Sequence, residues 1–102
     1  MTKEQAAITL HQIGGGVNKL STMIGAHTFL RDEQNNAVSF KFKAGNKANY
    51  CKITLTDMDL YDIVIGKIRG MNSTIIVSFD GLYAEDLQSV FEESTGLCLS
   101  FS

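Results

Sequence analysis

The sequence predicts an α+β domain, in which an antiparallel β-meander of four to five strands carries helices on one face. Apolar and polar residues alternate from Ala37 to Phe79 with the period of two that is typical of half-buried strands. Apolar residues recur at helical spacing near the start of the chain and again after Asp80. The 102 residues, 44% of them hydrophobic, suffice for one core, so we expect a single domain with two short N-terminal helices and one C-terminal helix packed on one sheet face.

The two N-terminal helices are predicted from a capping pattern and a glycine break. Thr2 and Gln5 have the spacing of a capping box, and apolar residues then recur at helical spacing, so a first helix is expected from Lys3 to Ile13. Three consecutive glycines should end it, because glycine disfavours helix by roughly 1 kcal/mol per residue. A second helix, capped by Asn18 and closed by Gly25, should complete a hinged pair.

The strands of the meander are separated by polar connections. The expected strands are His27 to Arg31, Val38 to Phe42, Cys51 to Leu55, Ile63 to Arg69 and Thr74 to Phe79. The alternation places Phe40, Phe42 and Phe79 on the inward side. The continuous apolar run Ile75-Ile76-Val77 predicts that the last strand is buried on both faces.

The closing helix is predicted from a single apolar stripe. Tyr83, Leu87, Val90 and Phe91 lie at helical spacing, and Gly96 should end the helix. A further edge strand is expected at Leu97 to Phe101. This helix would cover one face of the sheet.

Composition excludes several classes of protein. A net charge of −2 gives no bulk attraction to nucleic acid or to membranes. Cys51 and Cys98 are too far apart in sequence to suggest a disulfide framework, which favours a reducing compartment. The chain shows neither the pattern of a signal peptide nor an apolar run that could span a bilayer. We therefore expect a soluble, cytoplasmic protein without a membrane partner.

No group of residues predicts a reaction, a cofactor or a catalytic residue. The glycine triplet lacks the strand and the Gly-Lys-Ser/Thr ending of a phosphate loop. His11 and His27 have no zinc ligands at the usual spacing, and no serine, threonine or cysteine lies in a nucleophile motif. Asp57, Asp59 and Asp62 are weak candidates for a divalent metal in a nuclease or hydrolase, but acids in a connection between strands are more often simply solvated.

Basic residues are concentrated in the middle of the chain. The stretch from Ala37 to Thr56 holds four lysines and no acid, and two further basic residues follow on the next strand. We name these six residues the basic strip: Lys41, Lys43, Lys47, Lys52, Lys67 and Arg69. On one outward face they could contact a phosphate backbone or an acidic protein. The alternative is that they are solvated lysines that discourage edge pairing of the sheet.

The closing helix has the opposite charge. No basic residue occurs between Asp80 and Ser102. The acids there that are candidates for binding a basic partner are Glu85, Asp86, Glu92 and Glu93. The last two lie where the helix dipole disfavours a negative charge, which suggests either recognition of a basic surface or a contribution to solubility. Two oppositely charged surfaces could also support head-to-tail homo-oligomers.

Several short sequence segments, spread along nearly the whole chain, together resemble those of a family of small proteins encoded by phages and prophages. The segments are Ile13-Gly14-Gly15 with Asn18-Lys19, Met23-Ile24-Gly25-Ala26, Val38-Ser39-Phe40-Lys41-Phe42, Asn49-Tyr50 with Lys52-Ile53-Thr54-Leu55, Met58-Asp59-Leu60-Tyr61-Asp62, and Tyr83-Ala84-Glu85-Asp86-Leu87 with Phe91 and Thr95-Gly96-Leu97. The chain departs from the family pattern by an extra glycine and Val17 before Asn18. The family carries no assigned reaction, so the resemblance implies a setting inside a bacterial cell and transfers no site residue.

Two function hypotheses follow from these observations. The first is a noncatalytic binding protein that acts on a protein of the bacterial host, as an inhibitor of a defence or replication protein in the manner of anti-CRISPR proteins. The second is an accessory protein that binds nucleic acid through the basic strip. Neither hypothesis requires a cofactor.

Overall fold

A computed structural model of the chain describes residues 1–43 and 47–97, and it shows the expected α+β architecture. The helices are α1 (Lys3–Gly14), α2 (Val17–Ile24) and α3 (Leu87–Thr95), the last preceded by a 3₁₀ turn at Ala84–Asp86. The strands are β1 (His27–Asp32), β2 (Ala37–Lys41), β3 (Tyr50–Leu55), β4 (Tyr61–Arg69) and β5 (Asn72–Leu82). They form one antiparallel sheet in the order β1-β2-β3-β4-β5. Most of the strand expected at Leu97 to Phe101 lies outside the described residues.

The capping box that opens α1 is confirmed. The Oγ1 atom of Thr2 accepts a hydrogen bond from the Gln5 backbone at 3.1 Å, and the Gln5 side chain accepts one from the Thr2 backbone at 3.1 Å. The prediction that Asn18 caps α2 is wrong, because that helix begins at Val17 and its N-cap is Gly16. Gly16 has φ 105°, a conformation that favours glycine, so the helix is capped two residues earlier than expected.

The core lies between one face of the sheet and the helices. The ladder pairs Val38 with Ile53 and Ile53 with Ile63, and all three side chains are buried. Helix α3 contacts β4 and α1, so it covers the middle of this face. Four phenylalanine rings meet there with centroids 5.4 to 6.2 Å apart: Phe29, Phe40, Phe42 and Phe91. The predicted inward positions of Phe40 and Phe42 are confirmed.

The prediction that the last strand is buried on both faces is wrong. Ile75 is 67% exposed and Ile76 is 44% exposed, because among residues 1–43 and 47–97 β5 is the last strand of the sheet and pairs with β4 alone. Phe79 is 39% exposed, although its ladder partner Ile63 is buried. Val77 and Leu82 of the same strand pack against the core, so β5 is covered on one side and the apolar run is not buried on both.

The apolar stripe of the closing helix is shorter than expected. Leu87 and Phe91 are fully buried, as predicted, and Gly96 ends the helix. Tyr83 was expected in the same stripe but lies before the 3₁₀ turn and is 63% exposed. Its side chain is therefore available at the surface. Within the described parts of the chain, no helix has both the length and the apolar character that crossing a membrane requires.

Candidate functional site

The connections of the meander sort the charges of the protein to opposite ends of the sheet. In an antiparallel meander, successive connections alternate between the two ends. The turn after β1, the turn after β3 and the end of β5 therefore lie together, as the pairing of Tyr61 with Leu82 shows. The connection after β2 and the turn after β4 lie at the other end. The first group of connections is acidic and the second is basic.

The acidic end is formed by residues 32–37, 55–62 and 79–86. These three segments hold eight carboxylates and neither lysine nor arginine. We define the acidic end by these residues: Asp32, Glu33, Asp57, Asp59, Asp62, Asp80, Glu85 and Asp86. Arg31 directly precedes the first segment and forms an ion pair with Glu33 at 2.9 Å, so one of the eight negative charges is offset. The remaining excess of negative charge produces a field that attracts a basic surface and repels nucleic acid.

Local hydrogen bonds hold several of these carboxylates in place. Asp32 accepts hydrogen bonds from the Asn35 side chain at 2.8 Å and from the Asn35 backbone at 3.1 Å. These bonds lower the pKa of Asp32 below its usual value, so its charge persists into acidic solution. Asp62 accepts a bond at 3.0 Å from the backbone of Gly81 and so joins the end of β5 to β4. The acidic end is therefore a structured surface.

Two large exposed side chains lie among the carboxylates. Met58, in the turn after β3, is 78% exposed, and Tyr83 is 63% exposed. A shallow depression is lined by Gln12, Asp59, Tyr83, Ala84, Glu85 and Gln88. It thus combines an aromatic ring with two carboxylates from different segments. Tyrosine and methionine are enriched in protein interfaces, where they supply apolar contact inside a polar rim.

The basic end gathers most of the basic strip. Residues 41–49 and 66–73 contain no acid and carry Lys41, Lys43, Lys47, Lys67 and Arg69. One depression is lined by His27, Lys41, Phe42, Lys43, Asn49, Lys67, Ile68 and Gly70. A second is lined by Lys47, Lys67, Arg69, Asn72, Thr74 and Ile76. These five basic residues are defined as the basic end.

The six residues of the basic strip do not share one outward face. Lys41 and Lys52 lie on the sheet face that points away from the helices. Each follows a buried residue in the chain, Phe40 or Cys51, whose side chain lies on the face that the helices cover. Lys52 pairs with Val64, and alternation along β4 then places Lys67 and Arg69 on the opposite side from Val64. The outward face expected for Lys41 and Lys52 is thus confirmed, whereas Lys67 and Arg69 extend the strip around the end of the sheet and not along that face.

Asn49 stabilises the basic end through hydrogen bonds to the backbone of β4 and to the backbone of Phe42, which follows β2. Its side chain donates to the Ile68 carbonyl at 2.8 Å and accepts from the Ile68 N–H at 2.7 Å. Its own backbone donates to Gly66 at 3.0 Å and accepts from Phe42 at 2.9 Å. The side chain thus acts as an additional ladder residue that holds the end of β4 against the connection from β2.

Replacing Asn49 by aspartate should therefore destabilise the basic end. The carboxylate cannot donate to the Ile68 carbonyl and instead faces it, so we expect the free energy of unfolding to fall by about 1–3 kcal/mol. Urea denaturation measures this change. Asn18→Asp makes the same chemical change at an exposed position near the start of α2 and should not lower stability. Equal stability of Asn49→Asp and the unmodified protein would show that the hydrogen bonds of the Asn49 side chain contribute nothing to the free energy of unfolding.

The four acids predicted on the closing helix are divided between its two ends. Glu85 and Asp86 lie in the 3₁₀ turn before α3 and belong to the acidic end. Glu92 and Glu93 lie in the last turn of α3. This helix starts at the acidic end and reaches Phe42, beside the basic end, through its Phe91 side chain. The four residues therefore do not form one patch.

The described residues contain no arrangement typical of a catalytic or metal site. Across residues 1–43 and 47–97, no cluster of three or more histidine, cysteine or acidic side chains could hold a metal ion. Burial raises the pKa of the Cys51 thiol, which disfavours the reactive thiolate, and Cys98 lies outside the described residues. His11 and His27 are both exposed, and His27 hydrogen-bonds to its neighbour Thr28 at 2.8 Å.

Comparison with known proteins gives no further assignment. No family model matches the chain, and neither a curated protein nor a solved structure matches it. The site is therefore interpreted from its own geometry. Sequence reasoning missed the acidic end as a unit and missed Met58 and Tyr83 within it. The alternation of charge sign from one connection to the next was a usable indication, because a meander brings every second connection together.

Proposed function

We propose that this protein is a noncatalytic binding protein of phage origin that acts in the cytoplasm of a bacterial host. Its acidic end would bind a basic surface of a host protein. The observation that carries this proposal is the concentration of eight carboxylates in three adjacent segments that contain no lysine or arginine. The exposed Met58 and Tyr83 would supply apolar contact inside this charged rim.

The chemistry of the acidic end favours a partner whose own ligand is nucleic acid. Proteins that bind DNA or RNA carry clustered lysine and arginine for the phosphate backbone. A surface with many fixed carboxylates can occupy such a cluster and so compete with the nucleic acid. Host defence and replication proteins have surfaces of this kind. The proposed role is therefore that of an inhibitor, comparable to anti-CRISPR proteins, and it requires no cofactor.

The basic end supports a second candidate function, which is direct binding of nucleic acid. Lys41, Lys43 and Lys67 line one depression, and this convergence suits a phosphate backbone. Single-stranded nucleic acid also requires aromatic side chains for base stacking. The exposed Tyr83 lies at the acidic end. Among the described aromatic residues beside the lysines, Tyr50 is half-buried and Phe42 is buried. The proposal of a protein partner is therefore preferred.

Two charge-reversal variants can separate these functions. The first replaces Asp57, Asp59 and Glu85 by lysine, and the second replaces Lys41, Lys43 and Lys47 by glutamate. All six side chains lie at the surface or partly exposed, so both variants should fold, which thermal denaturation can check. Each tagged protein is incubated with nuclease-treated bacterial lysate, and the captured proteins are identified by mass spectrometry. Each is also titrated with a labelled DNA duplex at two salt concentrations.

The proposed function predicts a specific pattern of results. The unmodified protein and the lysine-to-glutamate variant should capture the same nucleic-acid-binding host protein, and the acid-to-lysine variant should lose it. Added DNA should displace the captured protein. Capture that survives reversal of the acidic end would contradict the proposal. Salt-dependent binding of the labelled duplex, lost only in the lysine-to-glutamate variant, would establish the second candidate instead.

A further inference from the structure

The outer edge of β5 is long and apolar. The strand has eleven residues, and on the described part of the chain its only ladder partner is β4. No charged residue occurs from Asn72 to Phe79, and Ile75, Ile76 and Phe79 are exposed there. An edge of this kind presents unpaired backbone N–H and C=O groups to any strand that can align with it.

The other edge of the sheet, strand β1, has features that prevent pairing with a further strand. Strand β1 has six residues, its register with β2 is interrupted between His27 and Leu30, and Thr28 has φ 55°. Arg31 and Asp32 add charge to it. Irregular backbone and charged side chains are the usual means of preventing pairing at an edge. Strand β5 also has two register shifts against β4, one near Ile76 and one near Asp80, but no charged residue precedes Asp80 on it.

We propose that β5 is the interface for a second copy of this chain. The two β5 strands would pair antiparallel about a two-fold axis that passes near Ile76 and runs perpendicular to the sheet. The two five-stranded sheets then become one continuous sheet, and the helices of both copies lie on the same face. Such an interface is isologous, so it closes as a dimer and does not extend into a fibre.

Charge complementarity favours a second copy of this chain as the partner that pairs with the edge of β5. Pairing centred on Ile76 sets Asn72 of one copy opposite Asp80 of the other. Asn72 pairs on its other side with Arg69, so Asp80 of the second copy lies two strand spacings, about 10 Å, from Arg69. The arrangement thus brings the acidic end of each copy beside the basic end of the other. It also places only uncharged residues along the shared ladder between these points.

Sedimentation velocity over a range of about 1 to 100 μM, in which mass action shifts a weak dimer, tests this interface. The unmodified protein should approach twice the 11.2 kDa mass of one chain as its concentration rises. Ile76→Lys should weaken the dimer at least about tenfold, because two ammonium groups would meet at the axis. Leu30→Lys changes an exposed residue on β1, at 60% exposure against 44% for Ile76, and should leave the dimer unchanged. A monomer at every concentration would overturn the proposal.

A disulfide trap distinguishes the two-fold arrangement from head-to-tail association. Facing residues of an antiparallel pair have Cα atoms about 4.5–5.5 Å apart, which a disulfide can bridge. In a chain that also carries Cys98→Ser, Ile76→Cys should form a covalent dimer on mild oxidation, whereas Leu30→Cys should not. Equal cross-linking of the two variants, or none with Ile76→Cys, would contradict pairing at β5. The two proposals fail separately, because Ile76→Lys leaves every carboxylate of the acidic end in place and the host-protein experiment changes Asp57, Asp59 and Glu85 but not Ile76.

Discussion

Phe91→Ala is expected to lower the free energy of unfolding by about 3–5 kcal/mol, because it removes a fully buried ring and leaves a cavity. The Phe91 ring lies 6.2 Å from that of Phe40 and 5.4 Å from that of Phe42, measured between centroids. Together with the fully buried Leu87, it packs α3 against the core. A domain of this size is typically stable by about 5–15 kcal/mol, so the loss is a large fraction of the total.

Urea denaturation followed by circular dichroism measures this loss. Tyr83→Ala is the matched control, because it removes an aromatic ring from a site that is 63% exposed, and its effect should stay within about 0.5 kcal/mol. Similar midpoints for the two variants would mean that α3 is not held by the phenylalanine cluster. The packing described here would then be incorrect.

Gly66→Ala is expected to destabilise the protein by about 1–3 kcal/mol through overpacking against backbone. A Cβ atom at Gly66 would lie 2.7 Å from the carbonyl oxygen of Thr74, a separation at which β5 must shift. The glycine stands where the register of β4 and β5 changes, between Ile65 and Gly66. It therefore permits the close approach of the two strands at the bulge.

Hydrogen exchange can locate this effect. The amides of β5 around Ile75 should lose protection in Gly66→Ala, while those of the β2–β3 ladder keep it. Ser78→Ala removes a small exposed side chain from the same strand and should leave stability within about 0.5 kcal/mol. Unchanged stability and exchange in Gly66→Ala would show that β5 is not fixed at this bulge.

The two charged ends have different consequences for binding. The acidic end presents exposed apolar side chains inside a rim of carboxylates, which is the composition of a protein interface. The basic end wraps around the edge of the sheet, and the described aromatic residues near its lysines are the half-buried Tyr50 and the buried Phe42. This difference in neighbouring side chains, rather than the number of charges, favours a basic protein partner over nucleic acid.

Local signals in the sequence were sufficient for the helices and for the class of fold. The capping box at Thr2 and Gln5, the glycine break and the final Gly96 act within a few residues, so they can be identified without knowledge of the fold. Alternation through β2 to β4 is equally local, and it correctly placed Phe40 and Phe42 inward. The cap at Asn18 failed because Gly16 adopts a backbone conformation that composition alone does not reveal.

The sequence by itself thus determined the elements, their order and the sign of charge on each connection. Only the tertiary structure decided that the apolar run of β5 is not buried on both faces, that Tyr83 is exposed, and that Lys67 and Arg69 lie on the other side from Lys52. The physical reason is that a period-two pattern records which residues share a side of a strand. Whether that side is buried depends on the neighbouring strand and on the reach of the helices, which are set by contacts between residues far apart in the chain.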